Sequence, residues 1–177
     1  MTPRPDMTRG KGPQNNQGFG GDRKYSNAPR NTGGYSRRQS SDIEPELAKI
    51  RACKNLSDLS IEEISKEGGI AETLAKSFKG NLKTTQLRKF FDNIASNQER
   101  LKSGGWKDIE SDFYMIRPNL AYAKGRKLIP DDFFILVSLC LERVNTQEAN
   151  EKKVIENYDR FVELMQALVA YTKYYER

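Results

Sequence analysis

From Ile43 onwards the apolar residues of this chain recur at helical spacing; before it, Phe19, Tyr25 and Tyr35 are the only aromatics in a run of Gly, Asn, Arg, Pro and Ser. Pro45 suits a first helical turn, and Leu47, Ile50 and Cys53 or Lys54 trace a short apolar edge behind it. A second short helix is expected from about Ser60, with Ile61 and Ile64 inward and Glu62 and Glu63 at its positive end, until Gly68-Gly69 breaks it. Ile70, Leu74 and Phe78 form a third stripe, stopped by Gly80-Asn81. The next helix starts at Thr84 or Thr85 as N-cap and runs to about Lys102, burying Leu87, Phe90, Phe91, Ile94, Gln98 and Leu101. Its opposite face carries Gln86, Lys89, Asn93, Ser96 or Asn97, and Arg100: donors and cations without a carboxylate. Arg88 flanks the stripe with Asp92 four residues on, a helix-surface ion pair worth ~0.3 kcal/mol.

After Ser103-Gly104-Gly105, the residues Trp106, Ile109, Phe113, Ile116, Leu120 and Ala123 repeat at alternating three and four, straight through Pro118. That pattern predicts a helix continuing with a kink at the proline. Arg117 and Lys124 then share an outward face across Ala121, in line with Lys107 and Tyr114, while Tyr122 packs. Lys124, Arg126 and Lys127 surround Gly125 at the helix end, more cations than a C-terminal dipole needs. Pro130 opens an apolar helix with Phe133, Phe134, Leu136, Val137, Cys140, Leu141 and Val144 as core. Its adjacent Asp131 and Asp132 read as first-turn acids, because neighbours on a helix point about 100° apart and cannot form a carboxylate pair. A last helix from about Ala149 carries Ile155, Tyr158, Val162, Met165, Leu168 or Val169, and Thr172 along one side. Phe161, Leu164, Tyr171 and Tyr175 widen that stripe, so that it either faces a partner subunit or is buried on most sides. The expectation is an all-α chain: a compact bundle of about five to six helices over residues 42–177, with a disordered basic tail over 1–41.

Charge sharpens the picture. Residues 1–41 hold 8 basic and 2 acidic side chains, the whole formal net charge of +6, whereas residues 42–177 balance at 22 against 22. Within that neutral body, residues 83–127 contain 10 basic and 5 acidic side chains, so one face can meet nucleic acid while another stays acidic. The Arg-Gly pieces of the tail suit either loose RNA contact or plain solubilisation. Cys53 and Cys140 are too few for a disulfide framework and fit no metal spacing; both are expected to be buried, in a reduced cytoplasmic setting. The longest apolar run, Phe133 to Leu141, falls short of the ~20 residues that span a bilayer. With no His, no glycine-rich phosphate loop and no metal cluster, an enzyme lacks its parts, and no cofactor or metal is expected. On residue chemistry alone, Lys89, Arg100, Arg117, Lys124, Arg126 and Lys127 are the cations available for phosphate. A free-standing helical nucleic-acid-binding module is the competing class.

TTQLRKFFDNI (from Thr84), RPNLAYAKGR (Arg117 to Arg126), the FF-rich helix after Ile129-Pro130 and the closing RFVELMQALVAYTKYYE (Arg160 to Glu176) occur in that order. Together they resemble the small subunit of type III-A CRISPR effector complexes, over residues 84–177. The resemblance implies a non-catalytic all-helical subunit that stacks in several copies along the belly of a crRNA-guided complex, against the backbone and large subunits and neighbouring copies of itself, lining the path of crRNA and target RNA. It implies RNA contacts at Gln86, Arg88, Lys89, Arg117, Lys124 and Arg126, and assigns no role to the tail.

Overall fold

The computed structural model describes residues 42–176, which hold seven α-helices and two short 3-10 turns and no strand. The tail expected over residues 1–41 lies outside the described residues. Pro45 does occupy the first turn of α1 (Glu44–Ala52), which buries Leu47 and Ile50. A 3-10 turn (Leu56–Asp58) leads to α2 (Ile61–Ser65), where Ser60 and Glu63 cap each other reciprocally. Ile64 is fully buried there, but Ile61 is 47 % exposed instead of inward, because one and a half turns bury a single edge. Helix α3 (Ile70–Phe78) follows at once and buries Ile70, Leu74 and Phe78. Its N-cap must be glycine, since a Cβ on Gly69 would stand 2.7 Å from the Lys66 carbonyl oxygen.

The two long middle helices are α4 (Thr84–Gly104) and α5 (Glu110–Gly125), joined by Gly105 at φ +83° and a second 3-10 turn (Trp106–Asp108). Lys83 stands at the N-cap of α4, so Thr84 and Thr85 lie within the helix instead of capping it. Pro118 sits inside α5 without ending it, at the loss of one main-chain donor. Trp106 belongs to the 3-10 turn; it is half-buried, edge-on to Phe113 with centroids 5.0 Å apart, and its amide donates to the Glu151 carboxylate at 3.0 Å. Helix α6 (Asp131–Val144) is the apolar helix, with Asp131 and Asp132 in its first turn, and Asn150 caps α7 (Glu151–Tyr175) through the Lys153 amide.

Helix α7 is the post of the fold, packing on α2, α3, α4, α6 and both 3-10 turns. That enclosure accounts for its wide apolar stripe within the chain itself. The Tyr171 hydroxyl donates to the Ser65 carbonyl at 2.7 Å, and the Tyr175 hydroxyl donates to the buried Glu72 carboxylate. A run of edge-on rings crosses the interior: Tyr158 to Phe161 (6.0 Å), Phe161 to Phe90 (6.3 Å), Phe90 to Phe133 (5.7 Å) and Phe133 to Phe78 (5.9 Å). Two buried polar residues pin the post. Tyr158 donates to the Ile94 carbonyl at 3.1 Å, and Asn157 accepts the Ser57 amide at 3.0 Å while donating to the Val144 carbonyl at 2.9 Å. Cys140 is buried and its thiol is pushed up to about 12 by desolvation, but Cys53 is only half-buried, at the C-cap of α1.

Candidate nucleic-acid interface

Seating Leu87, Ile94 and Leu101 in the core turns a fixed face of α4 to solvent. Arg88 and Lys89 are exposed on it and Gln86 is half-exposed; among the described residues none of the three has a hydrogen-bond or ion-pair partner on another side chain. The expected pairing of Arg88 with Asp92 is not made, so Arg88 stands beside Lys89 as an uncompensated cation.

Arg100 is different. Its guanidinium is forked between the Asp112 carboxylate and the Asp108 carbonyl, with a long approach of 3.5 Å to the Asn97 amide oxygen. Arg100 is therefore not the unpaired cation expected: the turn after Gly105 folds α5 back so that its first-turn acid meets the last turns of α4. Asn97 also departs from the outward face it shared with Ser96 as an alternative; it is 4 % exposed, and Gln98 beside it donates to Asp159 of α7 at 2.6 Å.

The cations of α5 are graded by what α6 brings to them. Arg117 is exposed and pairs with Glu142 at 3.5 Å. Lys124 is half-buried, 3.2 Å from Asp131 and 4.9 Å above the Phe134 ring, and so serves mainly to join α5 to α6. Phe134, expected in the core, is half-buried beneath it. Arg126 lies 5.6 Å from the centroid of Tyr122 and donates to its hydroxyl at 3.3 Å; Tyr122 does not pack inward but is 66 % exposed. Lys127 is exposed at φ +57°, just past the helix end, with no ionic partner among the described residues. Exposed ion pairs such as Arg117–Glu142 are worth only ~0–1 kcal/mol, so a phosphate can exchange with them.

Phe133, in the first turn of α6, packs edge-on against Phe90 of α4, and the adjacent Phe134 lies beneath Lys124 of α5. The residues that sequence reasoning passed over are Lys79 and Lys83, both exposed and without an ionic partner among the described residues, on either side of the turn into α4. Lys83 directly precedes the Thr84-Thr85 pair, and that adjacency was the available signal. Among the described residues no three His, Cys, Asp or Glu side chains converge on a metal-sized site, and no helix is long and apolar enough to cross a membrane.

These features define a class: over the described residues the chain is all-helical, with exposed Arg88 and Lys89 on α4 and exposed Arg117 on α5. The family model for Csm2 of type III-A matches residues 61–177. A protein of Streptococcus thermophilus described as CRISPR system Cms protein Csm2 is 33 % identical over 105 residues, covering 58 % of this chain and 81 % of that protein. The chain belongs to the Csm2 family, the small subunit of the multi-subunit type III-A CRISPR Csm complex. No solved structure matches it.

Proposed function

We propose that the chain is a non-catalytic subunit that stacks in several copies along the belly of a cytoplasmic type III-A complex, against its backbone and large subunits, and steadies crRNA and target RNA through their phosphates. Arg88 and Lys89 carry this reading: two exposed, uncompensated cations side by side on a rigid helix, within the segment that the family model covers. Arg126 and Lys127 extend the surface at the end of α5, and Gln86, Arg117 and Lys124 border it, the last two with exchangeable acidic partners. A guide–target duplex is A-form, and cationic helices can follow it by phosphate and 2′-hydroxyl contacts without reading sequence. Exposed Tyr114, Met115 and Tyr122 on α5 offer apolar area for a neighbouring copy.

The test replaces Arg88, Lys89 and Lys127 with Ala together, verifies helicity by circular dichroism, and measures target-RNA affinity of the reconstituted particle over a salt series. Removing one cation that neutralises a phosphate flattens the slope of log affinity against log salt by about 0.7–0.9. An unchanged slope with intact assembly shows that these cations face elsewhere. Failed assembly with unchanged RNA binding by the free subunit makes them subunit contacts.

A further inference from the structure

The outer line of α5 carries an aromatic ring turned away from the core. At about 100° per residue, Tyr122 stands nearly opposite Phe113 and Leu120, which belong to the buried side of the helix. Arg126, one turn on, lies over the Tyr122 ring with its guanidinium carbon 5.6 Å from the centroid, and donates to the hydroxyl at 3.3 Å. Even with Arg126 in place Tyr122 is 66 % exposed, so most of the ring remains open. An arginine held against an exposed tyrosine is a platform on which a further planar group, a nucleobase above all, can stack.

A second, independent feature stands beside the ring. The Lys127 amide donates to the Lys124 carbonyl at 2.8 Å and the Leu128 amide to the Ala123 carbonyl at 3.0 Å, which closes α5 as a Schellman motif with Lys127 at its left-handed position, φ +57°. Glycine ordinarily fills that position, because a Cβ there crowds the carbonyl that follows. Here the backbone bears that steric cost and gains an exposed cation next to Arg126. Neither Arg126 nor Lys127 has an acidic partner among the described residues, whereas Arg117 and Lys124 are paired with acids of α6. Open ring and uncompensated cations together match a ligand that is planar at one end and anionic at the other. An apolar contact from a second copy seated on Tyr122 would desolvate both cations without offsetting the loss. Tyr114 and Met115 lie about two turns earlier, away from these cations.

We propose that Tyr122, Arg126 and Lys127 form a subsite for one unpaired RNA nucleotide, whose base stacks on the Tyr122 ring while its phosphate is met by Lys127 and the Arg126 guanidinium. The inference rests on the RNA-contacting reading above and adds a contact that paired RNA cannot make. In an A-form duplex the bases are stacked on one another, and only their edges and the sugar-phosphate chain are open. Stacking on a tyrosine accepts any base, so the subsite selects single-stranded RNA without reading its sequence.

The test titrates the ¹⁵N-labelled full chain with two probes of equal length and charge, an oligouridylate and the same ribose-phosphate chain without bases. Tyr122→Ala should weaken oligouridylate binding about fivefold, the loss of one base stack, and leave the abasic chain unaffected. Tyr122→Phe, which keeps the ring, should bind both as the native chain does. Lys127→Gly should weaken both probes alike without lowering Tm. Equal binding of the two probes by the native chain, or an equal loss of both in Tyr122→Ala, overturns base stacking. Oligouridylate shifts at Arg88 and Lys89 that Tyr122→Ala leaves unchanged overturn this subsite while keeping the RNA-contacting reading in place. Native binding of both probes by a Tyr122→Ala chain that no longer assembles into the particle makes the ring a contact between copies, which also overturns the proposal. No shift with either probe, together with an unchanged salt slope in the particle, removes both readings.

Discussion

Replacing Arg100 with Ala separates what the helix face suggests from what the fold does with it. On α4 alone Arg100 is an outward cation, but its guanidinium spans Asp112 and the Asp108 carbonyl and so ties α4 to the turn and helix that follow. The pair with Asp112 is half-exposed, at 49 % and 51 % of the two side chains, so its electrostatic share is ~0–1 kcal/mol. The bond to the Asp108 carbonyl adds ~0.5–1.5 kcal/mol net. Arg100→Ala is therefore expected to cost about 1–2 kcal/mol, a fall in Tm of roughly 3–8 °C for a body of this size. Thermal unfolding followed at 222 nm gives the first quantity. A double-mutant cycle with Asp112→Ala should show coupling between the two sites. The second quantity is the salt slope of RNA binding in the assembled particle, which should stay where it was. Lys89→Ala is the contrasting control: stability within about 0.5 kcal/mol of the native chain, and a slope flattened by about 0.7–0.9. An Arg100→Ala chain with native Tm and a slope flattened like that of Lys89→Ala would refute the assignment and restore Arg100 as a phosphate ligand.

Other outcomes follow from the interior. Glu72 accepts from Lys76, Tyr175 and the Gly68 amide, which lower its carboxyl to about 2; its contribution is present above the unfolded value near 4.5 and is lost as pH falls toward 2, so Glu72→Gln should flatten acid denaturation across that window. Asn157→Ala leaves the Ser57 amide and the Val144 carbonyl unpaired in the interior and should cost about 2–3 kcal/mol in urea denaturation; a change below about 0.5 kcal/mol would mean that solvent reaches them. Trp106→Ala should cost about 2 kcal/mol, less than the ~3–5 of a fully buried aromatic, because the ring is half-exposed; its fluorescence in the native chain should be quenched partially by acrylamide, and full protection would contradict the structure.

Sequence alone determined the helices, because helix formation is local. The stripe Ile70, Leu74, Phe78, the acids at the start of α6 and the passage of α5 through Pro118 all lie where the three-to-four spacing put them. The same spacing told which face of α4 is wet, and so placed Arg88 and Lys89 at the surface. Tertiary structure decided what else stands on that surface. Whether a cation is free depends on acids brought from elsewhere: Asp112 to Arg100, Glu142 to Arg117, Asp131 to Lys124, and none of the described residues to Arg88 despite Asp92 four positions away. Burial of Asn97 and Asn157 and the enclosure of α7 on most sides likewise depend on which elements close over them. Periodicity fixes a residue's direction from its own helix axis; charge compensation and burial depend on separations between elements, and only the packed chain sets those.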